Sequence, residues 1–312
     1  MRAAPRVRLG SMALLALAST LPMPAPASAQ QPTFRSAVDL VQVRAVVRDR
    51  RGRFVGGLDR GDFEVIDGGQ YRPLVDLQFD SNADVRIALL FDVSGSMRLS
   101  SKLAGATEAA RHFVAGLRPT DEAAVFAFDT TLRELQPFTV EHGAIASAVA
   151  RLDAFGQTSI FDAAAEAAKR LSTDRSRRQA IVIVTDGIDT RSRMSAEEVS
   201  AIASATDVPI YVLAVVSPVD HAGSERGLES RAVQEGDTPL GRLAWWTGGR
   251  THVTSAPAHV SVAARDILAE LRHQYLLAFE PGPPGWRPLT VRATDRNYSV
   301  RARTSYRSGS TS

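Results

Sequence analysis

The chain has 312 residues, 44% of them hydrophobic and 23% charged, with 37 basic and 34 acidic side chains. This is the composition of a folded protein long enough for one large domain and something smaller, and it excludes a disordered chain. There is no cysteine, which excludes disulfides, thiolate metal sites and cysteine nucleophiles, and no block of basic residues points to nucleic acid.

The N-terminus reads as a leader. Arg2, Arg6 and Arg8 precede an apolar run from about Met12 to Leu21, and a Pro/Ala stretch ends in Ala27-Ser28-Ala29. A positive start, a short apolar run and an A-x-A site predict a signal peptide over 1–29, cleaved after Ala29. The run is too short to span a bilayer as a helix. The expectation is therefore an exported protein, periplasmic or secreted, without a membrane span once the leader is gone. The leader holds three arginines and no acid, so the rest of the chain carries equal numbers of basic and acidic residues.

Residues 30–83 read as a β segment. "VDLVQVRAVVRD" (38–49) alternates apolar and polar residues, and "DFEVIDGGQYRPLVDLQF" (62–79) reads as two short strands about a Gly-Gly turn. From residue 84 the pattern changes. "VRIALLFD" (85–92), "AAVFAFD" (123–129), "QAIVIVTDG" (179–187) and "PIYVLAVV" (209–216) are near-continuous apolar runs, as in parallel strands covered on both faces. Helical spacing marks about 101–117, 142–153, 160–171, 195–205, 238–249 and 258–274. Residues 217–236 are polar and Gly-rich and read as an exposed loop. Alternating strands and helices over 84–274 predict a doubly wound, mainly parallel α/β sheet with helices on both faces. Residues 275–312 return to strands at 275–281, 288–294 and 298–304. Two short β segments flanking one domain cannot each bury a face alone, which predicts that 275–312 packs with 35–80.

"FDVSGSM" (91–97) puts Asp92, Ser94 and Ser96 at the carboxyl end of a strand, where open α/β sheets bind ligands. Asp186, in "IVIVTDG", leaves a second such strand. A serine hydrolase would show G-x-S-x-G, a P-loop Gly-Lys-Ser/Thr and a zinc protease H-E-x-x-H; none occurs. A hard cation accepts oxygen ligands and few carboxylates. Two hydroxyls with few charges leave such an ion under-neutralised and still a Lewis acid toward an anionic oxygen.

These stretches resemble the von Willebrand factor type A family. "FDVSGSM" is similar to its D-x-S-x-S motif, "GQTSIFDA" (156–163) to its second motif with Thr158, and "IVIVTDG" (181–187) to its third with Asp186. The resemblance covers about 84–274. It implies a metal-ion-dependent adhesion site in which Asp92, Ser94, Ser96, Thr158 and Asp186 hold Mg²⁺ or Mn²⁺. By the family pattern Ser94, Ser96 and Thr158 bind directly and the aspartates partly through water. It also implies a protein partner offering an Asp or Glu carboxylate to the ion. The flanks resemble those of exported bacterial "VWFA-related" proteins. The alternative is a metal-assisted phosphoester or peptide hydrolase using the same cation, which would need a general base beside the ligands. Asp189 is the further acid in the three motif loops and is expected to shape the rim. Arg98, Gln157, Arg191 and Arg193 are expected around it. His112 and His273 are expected as helix-surface or packing residues, Trp245 and Trp246 as packing residues, and His221 as part of the polar loop.

Overall fold

The structure is a computed structural model and describes residues 40–98, 102–153, 156–171, 177–187, 189–215, 238–254 and 257–309. The expected leader, the loop 217–236 and His221 lie outside the described residues.

Four strands come first: β1 (Val41–Arg48), β2 (Phe63–Asp67), β3 (Gln70–Arg72) and β4 (Leu74–Phe79). Gly68 and Gly69 turn β2 into β3 with φ of 57° and 83°, a backbone that a tight hairpin requires and glycine adopts freely. Two strands were expected over 62–79 and three form. Pro73 has no N–H for a ladder, and after it the chain leaves the sheet of β2 and β3 for another.

The alternating part follows: β5 (Val85–Asp92), α1 (Lys102–Gly116), β6 (Glu122–Phe128), β7 (Leu132–Thr139), α2 (His142–Val149), α3 (Ile160–Leu171), β8 (Arg178–Thr185), α4 (Ala196–Thr206), β9 (Ile210–Val215), α5 (Pro239–Trp246), β10 (Thr251–Thr254) and α6 (Pro257–Arg272). The strands form one six-stranded sheet in the order β10-β9-β8-β5-β6-β7, parallel except for β7. Alternate residues of β5 explain the two covered faces. Val85, Ile87, Leu89 and Phe91 pack with α1, α2 and α6, whereas Ala88 and Leu90 pack with α3, α4 and α5. Every residue of β8 is buried. Strand β7 was not expected. "LRELQPFT" has no fully buried residue and carries Pro137, so as a sheet edge it shows neither alternation nor an apolar run.

The last strands are β11 (Gln274–Phe279), β12 (Gly285–Ala293), β13 (Ser299–Ala302) and β14 (Ser305–Ser308). They interleave with the first four in two sheets, β13-β1-β11-β4 and β14-β12-β2-β3. Val43, Ala45, Tyr275, Leu277 and Phe279 of one sheet share a core with Phe63, Val65, Leu289, Val291 and Tyr306, which lie on the other. Ion pairs tie this sandwich to the α/β unit. Arg48 reaches Asp266 at 2.6 Å and Glu270 at 2.9 Å on α6, and Arg44 reaches Asp207 at 2.5 Å just beyond α4. Glu270 is fully buried, and burial alone would raise its pKa. The guanidinium of Arg301, then those of Arg250 and Arg48, reverse this and hold it at about 2.

Candidate functional site

The chain runs outward from β5 through β6 to β7, then returns through β8 to β9 and β10 on the other side. The strand order therefore reverses between β5 and β8, whose carboxyl ends adjoin through Phe91 and Val184. Ligands of open α/β sheets bind at such a point. Asp92 ends β5, and Asp186 follows β8 directly.

Asp92 is completely buried. Its carboxylate accepts hydrogen bonds from Ser94 N at 2.8 Å and from Thr185 Oγ1 at 2.6 Å. Burial pushes its carboxyl pKa up; the bonds from Thr185 and Ser94 oppose that rise, and the charge of Asp186 adds to it. A short 3-10 turn, Gly95–Arg98, brings Ser96 Oγ to 3.0 Å from Ser94 Oγ.

The second loop docks on the first. Gly95 N donates to Gly156 O at 2.9 Å. Gly156 has φ of 115°, and a Cβ there would approach Asp129 Cβ to 3.1 Å, so only glycine fits this crossing without strain. Two residues on, Thr158 is buried. Its N–H donates to Thr190 Oγ1 at 3.2 Å, and its carbonyl accepts from Thr190 N at 3.0 Å. Asp189 accepts from Ile160 N at 2.7 Å, from Phe161 N, and from Ser192 Oγ at 2.6 Å, so its charge sits at the start of α3. The three motif loops are thus tied to one another.

Asp186 Oδ1 is buried without a hydrogen-bond partner, and Oδ2 lies 3.1 Å from Lys102 Nζ at the first turn of α1. Sequence reading did not assign Lys102 to the site. The available signal was scarcity, since the chain has two lysines and one of them follows the D-x-S-x-S loop. Of the expected neighbours, Arg191 Nε donates to Gln157 Oε1 at 2.5 Å, and Arg193 N donates to Asp162. His112 pairs with Glu108 on α1 and His273 stacks on Phe54, both away from the rim loops. Trp246 packs against the core, whereas Trp245 is exposed.

The five residues offer only oxygen donors, and an ammonium already satisfies part of the paired negative charge. That set fits a hard divalent cation rather than a soft one. Among the described residues no group of three or more His, Cys, Asp or Glu side chains forms an alternative centre.

Residues 87–188 match the family model described as "von Willebrand factor type A domain". This part of the chain is a von Willebrand factor type A domain. The likeness extends to a solved von Willebrand factor type A protein from Catenulispora acidiphila. The two are 14% identical with a TM-score of 0.51, over 88% of this chain and 76% of that one, which shows the shared fold. A conserved hypothetical protein, BatB, from Bacteroides thetaiotaomicron matches 59% of this chain and 97% of its own at 16% identity, with a TM-score of 0.46. An aerotolerance-related membrane protein from Bacteroides fragilis, with multiple mutations to serines, matches 60% and 98% at 20% identity, also with a TM-score of 0.46. No curated protein matches the chain. The matched type A segment runs from Ile87 in β5 to the residue after Gly187, so it contains all three motif loops. Among the described residues no helix is long and apolar enough to cross a membrane.

Proposed function

We propose that the chain is an exported interaction module whose type A domain takes a divalent cation, Mg²⁺ or Mn²⁺, on Asp92, Ser94, Ser96, Thr158 and Asp186. The partner is a protein that offers an Asp or Glu carboxylate. Type A domains mediate protein interactions. The observation that carries the cation is Asp186, which is nearly buried beside Asp92 with one oxygen unpartnered and the other turned to Lys102. Two carboxylates this close repel each other unless positive charge enters between them.

When bound, the ion supplies a Lewis-acidic position for an anionic oxygen. The chain supplies the rest. Thr185 and the Ser94 amide fix the orientation of Asp92, and the Ser94–Ser96 contact holds two neutral hydroxyls together. The Gly95–Gly156 bond keeps the Thr158 loop against them. A hydrolase would need a free general base, and Asp189 is spent on the start of α3. That supports docking over hydrolysis.

The test is capture of envelope proteins on the immobilised mature chain. Binding should require Mg²⁺, be released by EDTA and be absent with Asp92→Ala. Metal-independent capture that survives Asp92→Ala, or Mg²⁺-dependent hydrolysis of phosphoester or peptide substrates by the purified chain, would refute the proposal.

A further inference from the structure

A cavity lies at the opposite end of β8 from Asp186, about 25 Å away along the strand at about 3.3 Å per residue. Its volume is about 480 Å³, within the range of sites for small organic ligands. It is walled by the start of β8, the end of α4, β1 and β14, so both the α/β unit and the sandwich contribute to it.

Five arginines line it: Arg44, Arg177, Arg178, Arg303 and Arg307. The acids in its wall are Asp80 and Asp207. Asp207 is already engaged, by Arg44 at 2.5 Å and by Arg303 at 3.7 Å. Arg177 turns to Asp84 and Glu122 at 3.7 and 3.6 Å. Arg178 is different. It is 8% exposed, and its Nε is buried without a hydrogen-bond partner. Burial, then the positive charge of Arg44, holds its pKa below the usual arginine value, while Asp80 and Asp207 act weakly the other way. Leaving a guanidinium in this state is costly, because a buried charge without a paired anion keeps its desolvation penalty.

Other buried donors in the same wall are also unsatisfied. Gln179 Nε2, Arg44 Nε and Ser204 Oγ have no hydrogen-bond partner. Native proteins satisfy nearly all buried polar groups, so idle donors in a wall rich in arginine mark a region short of acceptors. Guanidinium groups favour bidentate pairing with carboxylate or phosphate oxygens.

We propose that this cavity is a binding site for a small doubly charged oxyanion, a phosphate monoester or a dicarboxylate, seated on the guanidinium of Arg178 with Arg44 beside it. The exposed Arg307 of β14 closes the charge at its mouth. A ligand there would touch both the sandwich and the α/β unit. The inference is independent of the cation site.

The test uses the mature chain in a buffer free of phosphate, sulfate and carboxylates, with inorganic phosphate, glycerol phosphate and succinate titrated by calorimetry and thermal shift. Saturable binding of at least one of them at submillimolar concentration is expected. Which class binds assigns the source of the oxyanion. Arg178→Leu should weaken binding at least tenfold while leaving the anion-free melting temperature equal or higher, since it removes an unpaired buried charge. Arg307→Gln, on the exposed lip, should weaken binding severalfold in a chain that folds normally. The Mg²⁺ response should be unchanged in both variants. No saturable binding of any of the three by the wild type, or equal binding by Arg178→Leu and wild type, would overturn the proposal.

Discussion

Lys102 shows how one side chain can govern the rim. Its ammonium sits 3.1 Å from Asp186 Oδ2, with both side chains largely buried. Any divalent cation held by Asp92 and Asp186 must share that space with a like charge. Lys102→Gln should therefore tighten Mg²⁺ by about fivefold, equivalent to ~1 kcal/mol. The same change should lower the melting temperature of the metal-free protein, because Asp92 and Asp186 lose their nearby positive charge. Calorimetric titration and melting in EDTA read the two effects separately. An affinity that stays the same or falls would show that Lys102 is a ligand-shell support and not a competitor. Residue by residue, the acids and hydroxyls of the rim were legible in "FDVSGSM", "GQTSIFDA" and "IVIVTDG" because the chemistry lies in side-chain type and spacing. Lys102 was not, since only the docking of α1 against the end of β8 brings it to Asp186.

Among the elements, α6 and β10 carry the charges that join the two parts of the molecule. His252 of β10 is half-buried with its Nε2 enclosed, and this desolvation pushes its pKa down to about 4; Glu270 and Asp266 oppose this, while Arg250 and Arg301 add to it. An imidazole whose folded pKa lies below its usual 6.5 stays neutral in the fold while the unfolded chain takes up a proton. Its contribution is complete above pH 6.5 and is lost as the pH falls from 6.5 to about 4, by up to ~3 kcal/mol. Glu270, held at about 2 against a usual 4.5, keeps its contribution above pH 4.5 and loses it toward pH 2. Urea unfolding from pH 8 to pH 3 should show a first decline below 6.5 and a steeper one below 4.5. His252→Gln should remove the first. If the variant declines as the wild type does between 6.5 and 4.5, the neutral imidazole is not its source. Nothing in "RTHVT" announces this network. It depends on α6, β1 and β13 meeting β10, and the Arg48–Glu270 contact within it joins residues 222 positions apart.

For the whole molecule, the doubly wound sheet was readable because β5, β6, β8 and β9 are apolar on both faces, which only a covered parallel sheet requires. The edges were not. Strand β7 carries charges and Pro137, and β14 is four residues of mixed polarity, so each owes its form to the strand it pairs with. The resulting chain has a rim of oxygens at one end of β8 and a cavity of arginines at the other. The direct test of the rim is the melting temperature of wild type and Asp92→Ala, each in EDTA and in millimolar Mg²⁺. A bound ion stabilises the fold by RT ln(1 + [L]/Kd), about 2.7 kcal/mol at a hundredfold excess over Kd. The wild type should melt higher in Mg²⁺ and lower in EDTA, and Asp92→Ala should show no Mg²⁺ response while melting in EDTA no lower than the wild type. Equal Mg²⁺ shifts in the two proteins would contradict a cation held by Asp92, Ser94, Ser96, Thr158 and Asp186.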